Sequence, residues 1–286
     1  MKTALGATGR PGIVAFEPSY HGLTLGALAA TSREAFRAPF NAHLHPHVHR
    51  RPFACDPGRV EEGLRRQDVG CVLREPIVGR EGVLVPPPGW LPAVAEICRR
   101  RSTLLIADEI FTGFGRTGRL FAVEHEGVRP DVLCCGKALG GGLPIAAVVA
   151  RRDLFRCWET PGEALHTATF LANPLACAAA LAVLDVLEEA DLPTRADRLG
   201  EDLGRRLQTW PERFPAVEEV RGRGLLWGVQ LRTAELAKLW TAEAWSRGVL
   251  LLTGGPEGRV AQIVPPLTIQ EEQMGAAVGV LEGVFG

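Results

Sequence analysis

The feature that most constrains this chain is a set of short runs that stay apolar at consecutive positions: GIVAF at 12–16, CVLRE at 71–75, TLLIAD at 103–108 and DVLCC at 131–135. A strand with one wet face alternates apolar and polar residues. A strand apolar on both faces is covered on both. Longer segments with helical spacing separate these runs, and GWLPAVAEICRRR at 89–101 reads as a crossover helix. Parallel strands need such crossovers. The chain is therefore expected to be α/β, with a mostly parallel sheet in a large domain.

The texture changes after about residue 186. NPLACAAALAVLDVLEEA at 173–190 reads as a long helix, with Asn173 as its cap and Pro174 in its first turn. RADRLGEDLGRRLQTW at 195–210 gives a further helix. A strand follows over 217–231, then a helix, a strand and a final helix over 271–285. The expected division is a large domain over 1–185 and a smaller C-terminal α/β domain over 186–286.

Composition excludes several function classes. The 286 residues carry a formal net charge of -1, which gives no electrostatic footprint for nucleic acid or an anionic membrane. No apolar run is long enough to span a bilayer, and the first residues, MKTALGATGRPG, lack the apolar core of a secretory signal. The seven cysteines are odd in number and form no CxxC pair, so reduced thiols in a cytoplasmic enzyme are the expectation. Four histidines, His43, His45, His47 and His49, alternate, but Pro46 interrupts them. A solvated loop is expected there, and no metal site.

Chemistry concentrates around Asp108 and Lys137. Asp108 ends one buried run, and Lys137 follows the next, in a turn that continues into Gly140-Gly141-Gly142. In open α/β sheets, ligands bind at the carboxyl edge of the strands. The 29 residues between the two leave room to come back to that same edge, so the acid and the lysine are placed to face one cavity. That pair suits pyridoxal 5'-phosphate (PLP): a lysine to hold the cofactor's aldehyde carbon and a carboxylate to keep its ring nitrogen protonated. Partial burial is expected to favour the neutral amine that proton transfer needs.

The stretch LLIADEIFTGFGRTGRLFAVEHEGVRPDVLCCGKALGGGLPIAAVVA at 104–150 closely resembles the cofactor block of class III aminotransferases, the ornithine, acetylornithine and ω-amino-acid type. FEPSYHGLTLGALAAT at 16–31, EPIVGREGVLVPPPGWL at 75–91, HTATFLANPLACAAAL at 166–181, VRGRGLLWGVQL at 220–231 and IVPPLTI at 263–269 follow the family's order. The resemblance implies PLP fold type I and ping-pong transfer of an amino group from a donor amine to a 2-oxo acid or aldehyde. It implies that Lys137 holds the cofactor and Asp108 pairs with its ring nitrogen. Tyr20 would stack on the ring. Thr169 would bind the phosphate of the neighbouring subunit's cofactor, which makes a homodimer the expected assembly. Arg116 and Thr117 would shape their loop, and Glu75 would either bond near the cofactor or anchor its own loop.

Several positions depart from the family's carboxylate-handling members. Leu23 stands where acetylornithine-type enzymes carry an arginine. Gln262 replaces the arginine before the Pro-Pro-Leu motif, and Arg80 replaces the glutamate that screens it. Glutamine cannot grip a carboxylate as a cation does. Phe111 stands where many relatives have a glutamine. An amine or ω-amino donor is expected, with Arg80 supplying positive charge from the other side. MKTALGATGRPG resembles the end of the helix after the family's phosphate-binding loop, so an N-terminally truncated chain is expected. Within the fold, an aminomutase, racemase or decarboxylase would share the Lys137–Asp108 core. An inactive remnant serving as a dimerisation or binding partner is the rival of another class.

Overall fold

The computed structural model describes residues 1–285, which form two compact units. The first comprises Met1–Pro76, Pro86–Phe111 and Val123–Asp185; the second comprises Ile77–Val85, Thr112–Ala122 and the chain from Val186 onward. Two loop segments from the earlier part of the chain also belong to the second unit.

The first unit is built on six strands: β1 (Gly12–Glu17), β2 (Val48–Pro52), β3 (Val69–Arg74), β4 (Leu104–Asp108), β5 (Val132–Cys135) and β6 (Ala147–Ala150). Their order is β2-β1-β3-β4-β5-β6; all pairs are parallel except β5 with β6. Every residue of β3 and β4 is buried, the apolar runs and the terminal Arg74 and Asp108 alike. Each buried leucine or isoleucine contributes roughly 1.5–3 kcal/mol.

Helices α1 (Lys2–Thr8), α2 (Pro57–Leu64), α3 (Trp90–Arg100) and α4 (Pro174–Glu189) accompany this sheet, the last four residues of α4 lying past the unit boundary. Helix α3 links the parallel neighbours β3 and β4 and buries Trp90, Leu91, Val94, Ile97 and Cys98, one face at helical spacing. Asp56 caps α2 by accepting from the Gly58 amide (2.8 Å). Asn173 caps α4 by accepting from the Leu175 and Ala176 amides (3.0 and 3.3 Å), as expected. Gly70 is fixed by close approach, since a Cβ there would lie 2.4 Å from the Arg10 carbonyl oxygen.

The second unit holds a four-stranded antiparallel sheet, β7 (Val217–Arg223), β8 (Leu226–Leu231), β9 (Leu252–Gly254) and β10 (Val260–Ile263), ordered β7-β8-β10-β9. Its helices are α5 (Leu192–Leu207), α6 (Ala234–Ser246) and α7 (Glu271–Gly283). Helix α5 buries Leu192, Ala196, Leu199, Leu203 and Leu207, spaced by three and four. Trp210 and Trp240 meet edge-to-face with centroids 5.9 Å apart, and Phe285 stacks on Trp240 at 4.9 Å.

Three expectations about elements change. The single strand over 217–231 is a hairpin: the chain reverses through Gly224, whose φ of 55° is left-handed. His49, expected in a loop, lies in β2. The expected strand after α6 is two short strands, β9 and β10.

Among the described residues no helix is long and apolar enough to cross a membrane, and no three His, Cys, Asp or Glu side chains are grouped to hold a metal ion. The His45 ring nitrogen Nε2 donates to the Pro11 carbonyl (2.8 Å), and His49 lies 3.8 Å from Asp68.

Candidate active site

Parallel pairing sets Asp108 of β4 opposite Cys134 of β5, and the Glu109 amide extends that ladder to the Cys134 carbonyl (3.0 Å). Both strands then end at the same edge of the sheet. Asp108 closes β4 there, and Lys137 lies two residues beyond the end of β5. Ile110 packs on Gly136, where an added Cβ would lie 3.4 Å from Ile110 Cγ2. That contact holds the two turns together.

Asp108 is buried, and both of its oxygens are engaged. Oδ2 lies 2.7 Å from His21 Nδ1, and Oδ1 accepts from the Ile110 amide (3.2 Å). A carboxylate accepts about four hydrogen bonds, so capacity remains for a ring N–H. His21 has a side chain only 3% exposed, and its Nε2 finds no partner among the described residues. A buried ring nitrogen without a partner is a group that a bound ligand or water satisfies.

The loop after β1 positions His21. Its amide donates to Thr31 Oγ1 (2.9 Å), Thr31 Oγ1 donates to the Gly22 carbonyl (2.9 Å), and Ser19 Oγ donates to the Ala30 carbonyl (3.1 Å). The Tyr20 amide donates to Glu75 Oε1 (2.8 Å), so Glu75 anchors this loop. The half-buried Tyr20 ring meets Phe36 edge-on at 6.3 Å.

Lys137 opens a short 3-10 turn, Lys137–Gly140, with a φ of 42°. A left-handed conformation in a residue with a Cβ costs roughly 1–2 kcal/mol and is held only where the surroundings impose it. Gly141 follows with a φ of 56°, and a Cβ there would meet Val183 at 2.8 Å. The Lys137 side chain is exposed, not partly buried as expected, and its Nζ lies 4.9 Å from the centroid of the Phe111 ring. Burial pushes the Cys134 and Cys135 thiols up to about 11, with neighbouring acidic groups adding to the rise.

The structure thus brings Asp108 and Lys137 to one sheet edge and adds two residues that the sequence reading passed over. His21 could have been found, because it follows Tyr20 in the aromatic-His-Gly motif. Phe111 was read only as a departure from a pattern; its approach to Lys137 depends on the tertiary turn.

Leu23 is exposed just beyond His21. Thr169 is exposed on a turn ahead of α4. Arg80 and Gln262 lie in the second unit, where Gln262 Nε2 donates to the Gly79 carbonyl (2.9 Å) and more weakly to that of Arg80 (3.5 Å). The Gln262 donor is therefore spent on backbone, while the Arg80 side chain is exposed. Arg116 shapes its loop: Nη1 donates to the carbonyls of Leu225 (3.0 Å) and Pro265 (2.6 Å), and burial lowers its pKa to about 10.

A lysine and a buried carboxylate thus stand at one edge of a mostly parallel α/β sheet. The family profile of class III aminotransferases matches residues 1–285. The chain is 42% identical over 273 residues to a putrescine aminotransferase from Pectobacterium atrosepticum, covering 93% of this chain and 58% of that protein. An ornithine aminotransferase from Toxoplasma gondii, solved with partial PLP occupancy, superposes with a TM-score of 0.90 at 34% identity, covering 99% of this chain and 68% of that one. An amine transaminase from an uncultivated Pseudomonas species, in its PLP-bound form, gives a TM-score of 0.88 at 30% identity, with 99% and 72% coverage. This chain belongs to the class III aminotransferase family and has PLP fold type I. It spans little more than half the length of the curated relative it matches.

Proposed function

We propose that this chain carries the lysine–carboxylate core of a PLP-dependent transaminase, moving an amino group from an amine or ω-amino donor to a 2-oxo acid or aldehyde. The observation that carries this reading is the placement of Asp108, buried and bonded to His21, at the same sheet edge as the exposed Lys137. PLP, when bound, supplies an aldehyde that condenses with amines and a ring that draws electrons from the adjoining carbon.

Lys137 supplies the amine that holds the cofactor. Once released by a donor, the same amine would take the proton from the donor's amine-bearing carbon and deliver it to the cofactor's former aldehyde carbon. Asp108 keeps a proton on the ring nitrogen by placing a negative charge beside it, and His21 fixes the orientation of that carboxylate. Tyr20 walls the ring. Thr169 binds the phosphate of a cofactor held by a second copy of the chain, so the working assembly is a homodimer. All seven cysteines are free thiols, which suits a cytoplasmic enzyme.

The donor follows from residues that do not grip a carboxylate. Leu23 has no charge, and the amide of Gln262 is spent on backbone. A donor without an α-carboxylate agrees with both replacements, and Arg80 carries a positive charge of the kind an acidic acceptor would need. Putrescine, named for the 42%-identical relative, is a diamine of that kind.

The near-ultraviolet and visible spectrum with added PLP, beside Lys137→Ala, tests the core. A shifted absorption band is expected in the wild-type protein and absent in the variant. Folded wild-type protein without a Lys137-dependent band would overturn the reading.

A further inference from the structure

The chain has three lysines, Lys2, Lys137 and Lys238, against 29 arginines. Lys137 is the one whose ammonium is set over an aromatic ring, with Nζ 4.9 Å from the Phe111 centroid. An ammonium within about 6 Å of a ring face is attracted by the ring's quadrupole. The arrangement is constrained from both sides. Phe111 sits in the turn fixed by the Ile110 amide on Asp108 and by the Glu109 amide on the Cys134 carbonyl. Lys137 is aimed by its left-handed backbone.

We propose that the Phe111 ring is a seat for the Lys137 ammonium, a positioning residue that holds this amine charged and in place before the cofactor binds. The inference rests on Lys137 being the cofactor lysine. A benzene ring neither donates a hydrogen bond nor takes the proton, so it stabilises the charged form without competing for its proton. In the cofactor-free chain the seat keeps the amine at the site and raises the pH at which it becomes nucleophilic. Other groups on the neighbouring elements are Asp108 at the end of β4, His21 after β1, and Cys134 and Cys135 on β5. Burial keeps both thiols protonated, so their charge does not contribute. Asp108 also favours the ammonium, but it is untouched when Phe111 is changed.

The test is competitive acetylation of the cofactor-free full chain across pH, read at each lysine by peptide mass. Lys238, exposed in the second unit, serves as the internal reference. In Phe111→Leu the half-maximal pH for labelling Lys137 should fall by about half a unit. That is the shift expected from about 0.7 kcal/mol of cation–π attraction at an exposed site. Phe111→Tyr, which keeps a ring, should match the wild type, and Lys238 should not move. Superimposed profiles for Phe111→Leu and the wild type would overturn the proposal, as would an equal shift in Phe111→Tyr. The readout needs no cofactor, so a missing Lys137-dependent absorption band would count against the transaminase reading without affecting this measurement.

Discussion

At the residue scale, Arg74 sets two effects against each other. It is 2% exposed at the end of β3, with its guanidinium carbon 4.2 Å from the Trp90 ring centroid, 5.2 Å from Phe53 and 5.5 Å from Phe16. One nitrogen reaches the Pro76 carbonyl at 3.4 Å, while Nε and Nη1 have no partner among the described residues. Burial pulls its pKa far below the ordinary arginine range, to about 9, against the opposing pull of Glu75, Glu126 and Cys55. A displacement of that size corresponds to a cost on the order of 5 kcal/mol. A desolvated cation–π contact returns about 2 kcal/mol, and only Trp90 is close. The cost wins, so Arg74→Met should leave thermal stability at pH 7 unchanged or raise it by up to roughly 3 kcal/mol. A loss of more than about 2 kcal/mol on a denaturant curve would show that the rings compensate in full. The folded state releases this proton before the unfolded state does. Wild-type stability should therefore gain as pH rises above about 9 towards the ordinary arginine range, and the variant should lack that gain. Asp108 and Lys137 stand out in the sequence because the first ends one apolar run and the second follows the next, inside a dense motif. Arg74 was not legible, because an arginine at a strand end ordinarily faces water and only the three-dimensional meeting of Phe16, Phe53 and Trp90 encloses it.

At the scale of elements, helix α7 is tied to its neighbours through one carboxylate. Glu282 accepts from Arg206 Nε and Nη2 (3.0 and 2.8 Å), from Arg213 Nη1 (2.9 Å) and from Trp210 Nε1 (2.9 Å). The Arg206 hydrogen bonds, chiefly, hold its pKa down, from 4.5 to about 2, with Arg213 and Trp210 adding to them. The folded carboxyl thus titrates below the unfolded one. Its contribution is whole above pH 4.5 and is lost as the pH falls towards 2. Glu282→Gln should cost roughly 2 kcal/mol at pH 7, because charged donors lose their acceptor. The deficit should shrink when both proteins are unfolded by urea near pH 3; equal stabilities at pH 7 would show the cluster to be idle. Most elements were legible from periodicity alone, among them α3, α4, β1 and β3 to β5. The β7–β8 hairpin was not, since no Asn-Gly or Asp-Gly pair marks a turn within 217–231. Its turn depends on Gly224, whose backbone lies 2.4 Å from where a Cβ on Gly200 would sit. Nothing in the local sequence announces that contact with α5.

At the scale of the whole molecule, the question is what covers the outer side of α4. The helix is apolar nearly all round, and such a helix is normally buried on every side. One side buries Ala176 and Ala180, yet Leu175, Leu181 and Leu184 on the other are exposed, and Phe170, just ahead of the helix, is 82% exposed. Soluble monomers rarely leave a contiguous apolar patch larger than a few hundred Å² in water. Thr169 lies beside Phe170, so the apolar surface and the proposed phosphate contact coincide. If a second copy covers this surface, two properties become linked. Sedimentation should show a dimer, and Leu181→Asp with Phe170→Asp should raise its dissociation constant at least about tenfold, the change expected when two anchor side chains leave an interface. Thr169→Val should weaken PLP binding without changing sedimentation, and diluting the wild type below its dimer constant should weaken PLP binding in the same way, because a ligand held by two chains stabilises their association. A dimer whose PLP affinity is independent of protein concentration would separate the two properties and remove Thr169 from the phosphate site. A monomer at every concentration would remove the second copy from α4 altogether.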